Sequence, residues 1–256
     1  MKLHPPLVAL ALAALASAAP AQESSLDAVM KAGTLRACTP GDYKPFSFQR
    51  ADGAFEGLDV DLAQSLATAM GAKLELVKTS WANLLPDFAA GKCDVAIGGI
   101  SVTTERQKRV FFSSAYMVNG KTPLARCEDV GKYQSVADID KAGVRVIANP
   151  GGSNERFAKA SFKIATLTIH TDNLTIFDEL LAKRADVFVT EAAEALVQQK
   201  LRPGLCAVNP ERPLQYGEMA WMLPRNDGVM KNFVDQWLHL AKATGEYQRT
   251  ADKWLR

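Results

Sequence analysis

Strand and helix alternate along most of this chain, and the short loops that leave the strands carry its hydroxyls, amides and aromatic rings. Residues 34–39 and 73–77 read as strands, and Cys93-Asp94-Val95-Ala96-Ile97 as a short buried one. Two helices lie between them. The first has Leu62, Leu66 and Ala69 on one side and stops at Gly71; the second carries Leu84, Leu85 and Phe88 and ends at Gly91. That rhythm predicts an α/β fold with a mostly parallel sheet covered by helices. A second unit repeats it. Strands are expected at 144–148, 167–170 and 185–190, the last echoing 93–97, with helices at 175–183 and 191–197. Residues 119–124 read as a strand crossing out of the first unit.

Lys2, the apolar run 7–16 and the small residues Ala19-Pro20-Ala21 form a cleavable export signal, residues 1–21. The run is too short to span a bilayer. The mature protein is expected to be exported and not embedded in a membrane. About 235 residues remain, enough for two modest lobes or one large domain. The net charge of +2 gives nucleic-acid binding no electrostatic support. Four cysteines in an exported chain raise the question of disulfides. Cys127 and Cys206 each edge a short apolar run and are expected to pair; Cys38 and Cys93, in or beside two strands, read as buried thiols.

Ligands of open α/β sheets bind beyond the carboxyl ends of the strands. Tyr43, Trp81, Ser101, Thr103 and Arg106 fall there, in three different loops. After the strand at 93–97, Gly98 and Gly99 open the backbone, Ser101 and Thr103 follow at alternate positions, and Arg106 adds a fixed cation. A guanidinium fork matches a carboxylate in two bonds. The bland alternative is a capped strand end with a solvated arginine. For Tyr43, a lid over a ligand and a plug for its own core weigh equally. In the second unit, the free amides of a helix start at Gly151-Gly152-Ser153 form an anion site. Glu191 and Glu194, three apart and so on one helical face, form an acid/base or cation-binding pair, or else simply complement the helix dipole. Trp237 and Trp254 read as packing residues, and Lys253 and Arg256 as solvated charges.

The signal segment, Gly57-Leu58-Asp59-Val60-Asp61-Leu62-Ala63, Gly99-Ile100-Ser101-Val102-Thr103-Thr104-Glu105-Arg106 and Phe112-Ser113 resemble the type II periplasmic solute-binding proteins for amino acids. The resemblance covers the whole mature chain. It implies two α/β lobes joined by two crossing strands, residues 26–122 with 218–256 forming one and 123–217 the other, with a ligand held between them. It also implies that Arg106 holds a ligand carboxylate and Glu191 an ammonium group. A narrower resemblance lies in Gly41-Asp42-Tyr43-Lys44-Pro45-Phe46, Thr79-Ser80-Trp81-Ala82-Asn83-Leu84, Gly120-Lys121-Thr122-Pro123 and Asn149-Pro150-Gly151-Gly152-Ser153-Asn154-Glu155. These runs are similar to the cyclohexadienyl dehydratases, periplasmic prephenate/arogenate dehydratases built on the binding-protein scaffold.

That narrower resemblance implies a lyase with Glu194 as general acid, its carboxyl kept protonated by a closed, dry cleft. Arg106 would hold one substrate carboxylate. Ser153, Asn154 and the adjacent helix start, with Lys121, would take the other charge, and Tyr43 and Trp81 would flank the ring. The chemistry requires no metal or organic cofactor. The chain departs from the family at Glu191, where aspartate is common, which leaves the choice between prephenate and arogenate open. The competing expectation is a non-catalytic binding protein for an amino acid or another carboxylate, delivering to an ABC transporter. It needs every one of these residues except Glu194.

Overall fold

The computed structural model describes residues 23–256. The expected export signal, residues 1–21, lies outside them. No helix of the described residues is long and apolar enough to cross a membrane.

The first lobe is built on a five-stranded sheet in the order Lys73–Lys78, Thr34–Thr39, Val95–Ala96, Met222–Leu223, Phe111–Phe112. The first three strands run parallel, with the helices Leu58–Ala69 and Leu84–Ala89 as crossovers. Met222–Leu223 comes back from the far end of the chain and pairs antiparallel with both of its neighbours. The first helix packs through Leu58, Leu62, Ala63, Leu66 and Ala67. Ala69, expected on that face, is exposed, because the buried stripe turns through Ala67 instead. Trp221 and Trp237 stack with ring centres 5.5 Å apart, which seats the long helix Gly228–Ala243 on this lobe.

The second lobe is built on the sheet Thr166–Ile169, Arg145–Ala148, Val187–Glu191, Met117–Arg126, Leu205–Ala207. Its first three strands are parallel. All five residues of Val187–Glu191 are buried. Successive side chains of a strand point to opposite faces. Val187 and Val189 therefore enter one core with Val146 and Ala148, while Phe188 enters the other with Ile147 and Leu124.

The lobes are joined by an antiparallel ribbon. The first half of Met117–Arg126 pairs with Gln215–Met219 in a register that sets Met117 opposite Met219 and Lys121 opposite Gln215. The second half runs on into the second sheet. The crossing strand expected at 119–124 is thus two residues longer at each end. Cys127 and Cys206 form a disulfide at the far end of this strand. Cys38 and Cys93 also form a disulfide and are not free thiols. Their sequence separation of 55 hides the reason: Cys38 stands opposite Ala96 in the parallel pairing, so the approach to that strand brings Cys93 alongside.

Candidate active site

The carboxyl ends of the two sheets face each other, and the loops that leave them meet. Tyr43, Trp81, Gly99 and Ser101 of the first lobe, with Asn149, Gly152, Ser153, Asn154 and Glu191 of the second, line a small cavity of about 10 Å³. The lobes are shut around it. Ser101 Oγ donates to Glu191 Oε1 at 2.6 Å and lies 3.0 Å from Ser153 Oγ. Farther from the ribbon, Asn173 Nδ2 donates to the Asp42 carbonyl at 3.0 Å. Gly151, at φ +79°, lies so close to the first lobe that a Cβ there would sit 2.7 Å from the backbone of Ala82.

Arg106 is buried near the cleft but is not among the residues that line either this inner cavity or an outer one. Thr103 Oγ1 accepts from the Arg106 N–H, starting the short helix Thr104–Gln107 that sends Arg106 inward. The guanidinium is buried, donates to the Ser101 carbonyl at 2.9 Å and makes no ion pair among the described residues. Burial, helped by nearby Arg156 and opposed by Glu191, lowers its pKa to about 10. Arg106 remains charged at neutral pH, so it is a buried cation with donors to spare. Thr103 itself lines a second, outer cavity rather than the inner one.

Lys121 rises from the crossing strand behind the inner cavity and lines the outer one. Its ammonium donates to Glu191 Oε1 at 2.6 Å, Asn154 Oδ1 at 2.5 Å and Ser153 Oγ at 2.9 Å. Burial lowers its pKa, and the Glu191 carboxylate acts against that.

The two glutamates do not share a helix face. Glu191 ends the strand Val187–Glu191 in extended backbone, and the helix Ala192–Leu201 begins after it. The bend sends them to different partners. Glu191 meets Lys121 and Ser101, while Glu194, in the first helical turn, accepts from Thr190 Oγ1. Glu194 is 1% exposed and sits behind the cavity lining. Its pKa is raised to about 8, first by burial and then by the nearby carboxylates of Asp42 and Glu191; Thr190 and Lys121 pull the other way. Thr190 Oγ1 itself accepts from Asn154 Nδ2 at 3.2 Å.

Tyr43 fills both of the roles weighed for it. It is buried in the first core and stacked on Phe46, yet it also lines the cavity edge-on to Trp81 at 5.5 Å. Its hydroxyl lies near Thr190 without a hydrogen-bond partner. Trp81 is oriented by its indole N–H, which donates to Asp42 Oδ1 at 2.9 Å. Gly99, at φ +72°, is forced by these rings, because a Cβ there would fall 2.6 Å from both Tyr43 and Phe46.

Several residues lacked a readable signal. Asp42 and Thr190 are adjacent to expected site residues, and either could have been found by asking what orients Trp81 and Glu194. Asn149 lies within the run Asn149-Pro150-Gly151-Gly152-Ser153-Asn154 and accepts from Asn154 Nδ2 at 3.1 Å. Asp59 is fully buried and accepts from the amides of Gly98 and Gly99 and from the Tyr116 hydroxyl, fixing the loop that carries Ser101. Nothing local marks Asn173.

The chain is 47% identical over 245 residues to the cyclohexadienyl dehydratase of Pseudomonas aeruginosa, covering 95% of this chain and 91% of that one. An L-cystine-binding protein of Escherichia coli is 27% identical over 235 residues, or 92% of this chain and 87% of the other. Among solved structures, an ancestral amino acid-binding protein described as a precursor of cyclohexadienyl dehydratase superposes with a TM-score of 0.84 at 35% identity, covering 91% of this chain and all of that one. An ancestral cyclohexadienyl dehydratase is 47% identical over 91% of this chain and 97% of its own, with a TM-score of 0.58. In a two-lobed fold, a changed angle between lobes lowers overall superposition without altering either lobe. Residues 35–256 match the bacterial extracellular solute-binding proteins, family 3, and the chain belongs to that family.

Proposed function

We propose that this protein is a cyclohexadienyl dehydratase, exported to the periplasm by a cleaved signal, that converts prephenate to phenylpyruvate and arogenate to phenylalanine. The observation that carries this reading is the Glu194 carboxyl: buried just behind the cavity wall, bonded to Thr190, with its pKa raised by burial to about 8. A protein that only holds a ligand gains nothing from burying such a group at cost. The 47% identity to a dehydratase over nearly the whole chain points the same way.

The reaction asks little more of the protein than a proton and a grip. In prephenate the C–C bond to the ring carboxylate breaks, releasing carbon dioxide, and its electrons enter the ring. The C–O bond to the ring hydroxyl breaks with them. The departing oxygen takes the Glu194 proton and leaves as water, and the ring becomes aromatic. Glu194 is reprotonated from solvent once the lobes open. Arg106 holds the side-chain carboxylate through its free donors, and Ser153, Asn154 and Lys121 form the polar wall opposite. Tyr43 and Trp81 confine the ring, and closure keeps bulk water from competing for the proton.

The second reading is a transport binding protein, favoured by the superposition on an ancestral amino acid-binding protein. Purified mature protein incubated with prephenate separates the two. The dehydratase reading predicts growth of the phenylpyruvate enolate absorbance, and its absence supports transport. Glu194→Gln should lose turnover while still binding a carboxylate ligand; an undiminished rate in that variant removes Glu194 from its role.

A further inference from the structure

Resting on the dehydratase reading, we infer that this site selects the 2-oxo acid over its 2-amino counterpart, so that prephenate is processed in preference to arogenate, because the acid facing the cavity is already paired with a lysine of its own lobe. The two substrates share both carboxylates and the ring. They differ at one carbon, which bears a carbonyl in prephenate and an ammonium group in arogenate. An ammonium needs an acid with unspent negative charge; a carbonyl needs a hydrogen-bond donor.

Among the described residues, Glu191 is the one carboxylate that lines the inner cavity. Its Oε1 already accepts from Lys121 Nζ and from Ser101 Oγ, each at 2.6 Å. Lys121 in turn spends its three donors on Glu191, Asn154 and Ser153, all within 2.9 Å. The lysine is therefore fixed in place and cannot swing away to make room. An ammonium group brought to Glu191 would stand about 5 Å from that fixed cation. In a medium of effective dielectric about 20, the repulsion alone is worth a few hundred-fold in affinity. Attraction to Glu191 at contact distance is larger on the same scale, but the lysine cancels more than half of it, and the remainder falls short of what stripping water from a buried ammonium costs, so a preference of about tenfold or more for the 2-oxo acid is expected.

The other acids cannot substitute. Asp42 accepts from the Trp81 indole and lies behind that ring. Asp59 is spent on two backbone amides and the Tyr116 hydroxyl. Glu194 is committed to Thr190 and to the departing oxygen. Arg106 and Lys121 against Glu191 leave the buried site net positive, which suits the doubly negative 2-oxo substrate. Ser153 accepts from Lys121 and, since Ser101 gives its hydrogen to Glu191, directs its own to Ser101 Oγ, from which a ligand carbonyl could draw it.

Two measurements test this. The first is kcat/KM for prephenate and for arogenate at neutral pH. A ratio of about ten or more in favour of prephenate is expected, and a ratio near one, or reversed, overturns the inference while leaving the dehydratase reading intact. The second is calorimetric binding of phenylpyruvate and L-phenylalanine, which differ only in the same group and need no turnover. Phenylpyruvate should bind more tightly by a similar factor, and equal or tighter binding of phenylalanine overturns the inference even if the protein is inert. Two variants test the cause. Lys121→Met, checked for folding by its melting temperature, should shrink the preference. Glu191→Gln, which leaves the lysine without its counter-charge, should widen it. A preference unchanged in Lys121→Met, or narrowed in Glu191→Gln, refutes the assigned pairing.

Discussion

Replacing Glu194 by glutamine should make the protein more stable, and by an amount that depends on pH. The native carboxyl titrates at about 8 instead of the ordinary 4.5. Between those values the folded state holds a proton that the unfolded chain releases, so stability falls as pH rises. At ~1.4 kcal/mol per pH unit, the deficit is near zero at pH 4.5, ~3 kcal/mol at pH 7 and ~5 kcal/mol above pH 8. Glutamine keeps an acceptor for Thr190 and has no proton to lose. An unpaired amide hydrogen in the variant would lower its whole curve by a constant of ~1–3 kcal/mol, which changes the offset and not the slope. The assay is urea unfolding of both proteins, disulfides intact, at half-unit steps from pH 4.5 to 9. All other titrations are common to both and cancel in the difference. The stability gained by Glu194→Gln should climb through neutral pH and level off above pH 8. A difference that stays flat would mean that Glu194 ionises normally, and the buried-acid argument would fail.

Asp42→Asn keeps an acceptor for the Trp81 indole while removing a negative charge that helps hold Glu194 protonated; the alkaline limb of the kcat–pH profile should move down by several tenths to about one pH unit, and an unmoved or raised limb counts against the coupling. Gly151→Ala puts a methyl 2.7 Å from the Ala82 backbone across the cleft; kcat should fall by about tenfold or more, with small-angle scattering showing a ligand-bound protein larger than wild type, and normal turnover would mean that full closure is not required. Removing the Cys127–Cys206 disulfide, which bridges positions 79 apart, should lower stability by about 2–4 kcal/mol in denaturant titrations, and an unchanged midpoint would show that the loop is held by its packing alone.

The strand-and-helix order was legible because it rests on local periodicity, and the strand ends located the site because topology places ligands there. Arg106 and Ser101 were readable as a chemical set, five residues apart on one loop. Lys121 and Asn154 were named only through resemblance, since their meeting at 2.5 Å joins a crossing strand to a helix start 33 positions away. Glu191 and Glu194 were found but mispaired: counting by three assumes that a helix has already begun, and the strand runs one residue farther than expected. The Cys38–Cys93 disulfide depends on parallel-strand register, which composition does not encode. Asn173 and Asp59 act at distances of 131 and 39 positions respectively, through contacts that exist only once the chain is folded.

The pH dependence of kcat for prephenate tests the central claim most directly, because kcat reports the closed complex in which Glu194 is buried. Turnover should be sustained through neutral pH and fall above about 8, as the carboxyl loses its proton. Glu194→Gln should show only a small residual rate without that limb. A wild-type rate that holds level to pH 9.5, or a variant that keeps the same limb, would contradict the assignment of the departing proton to Glu194.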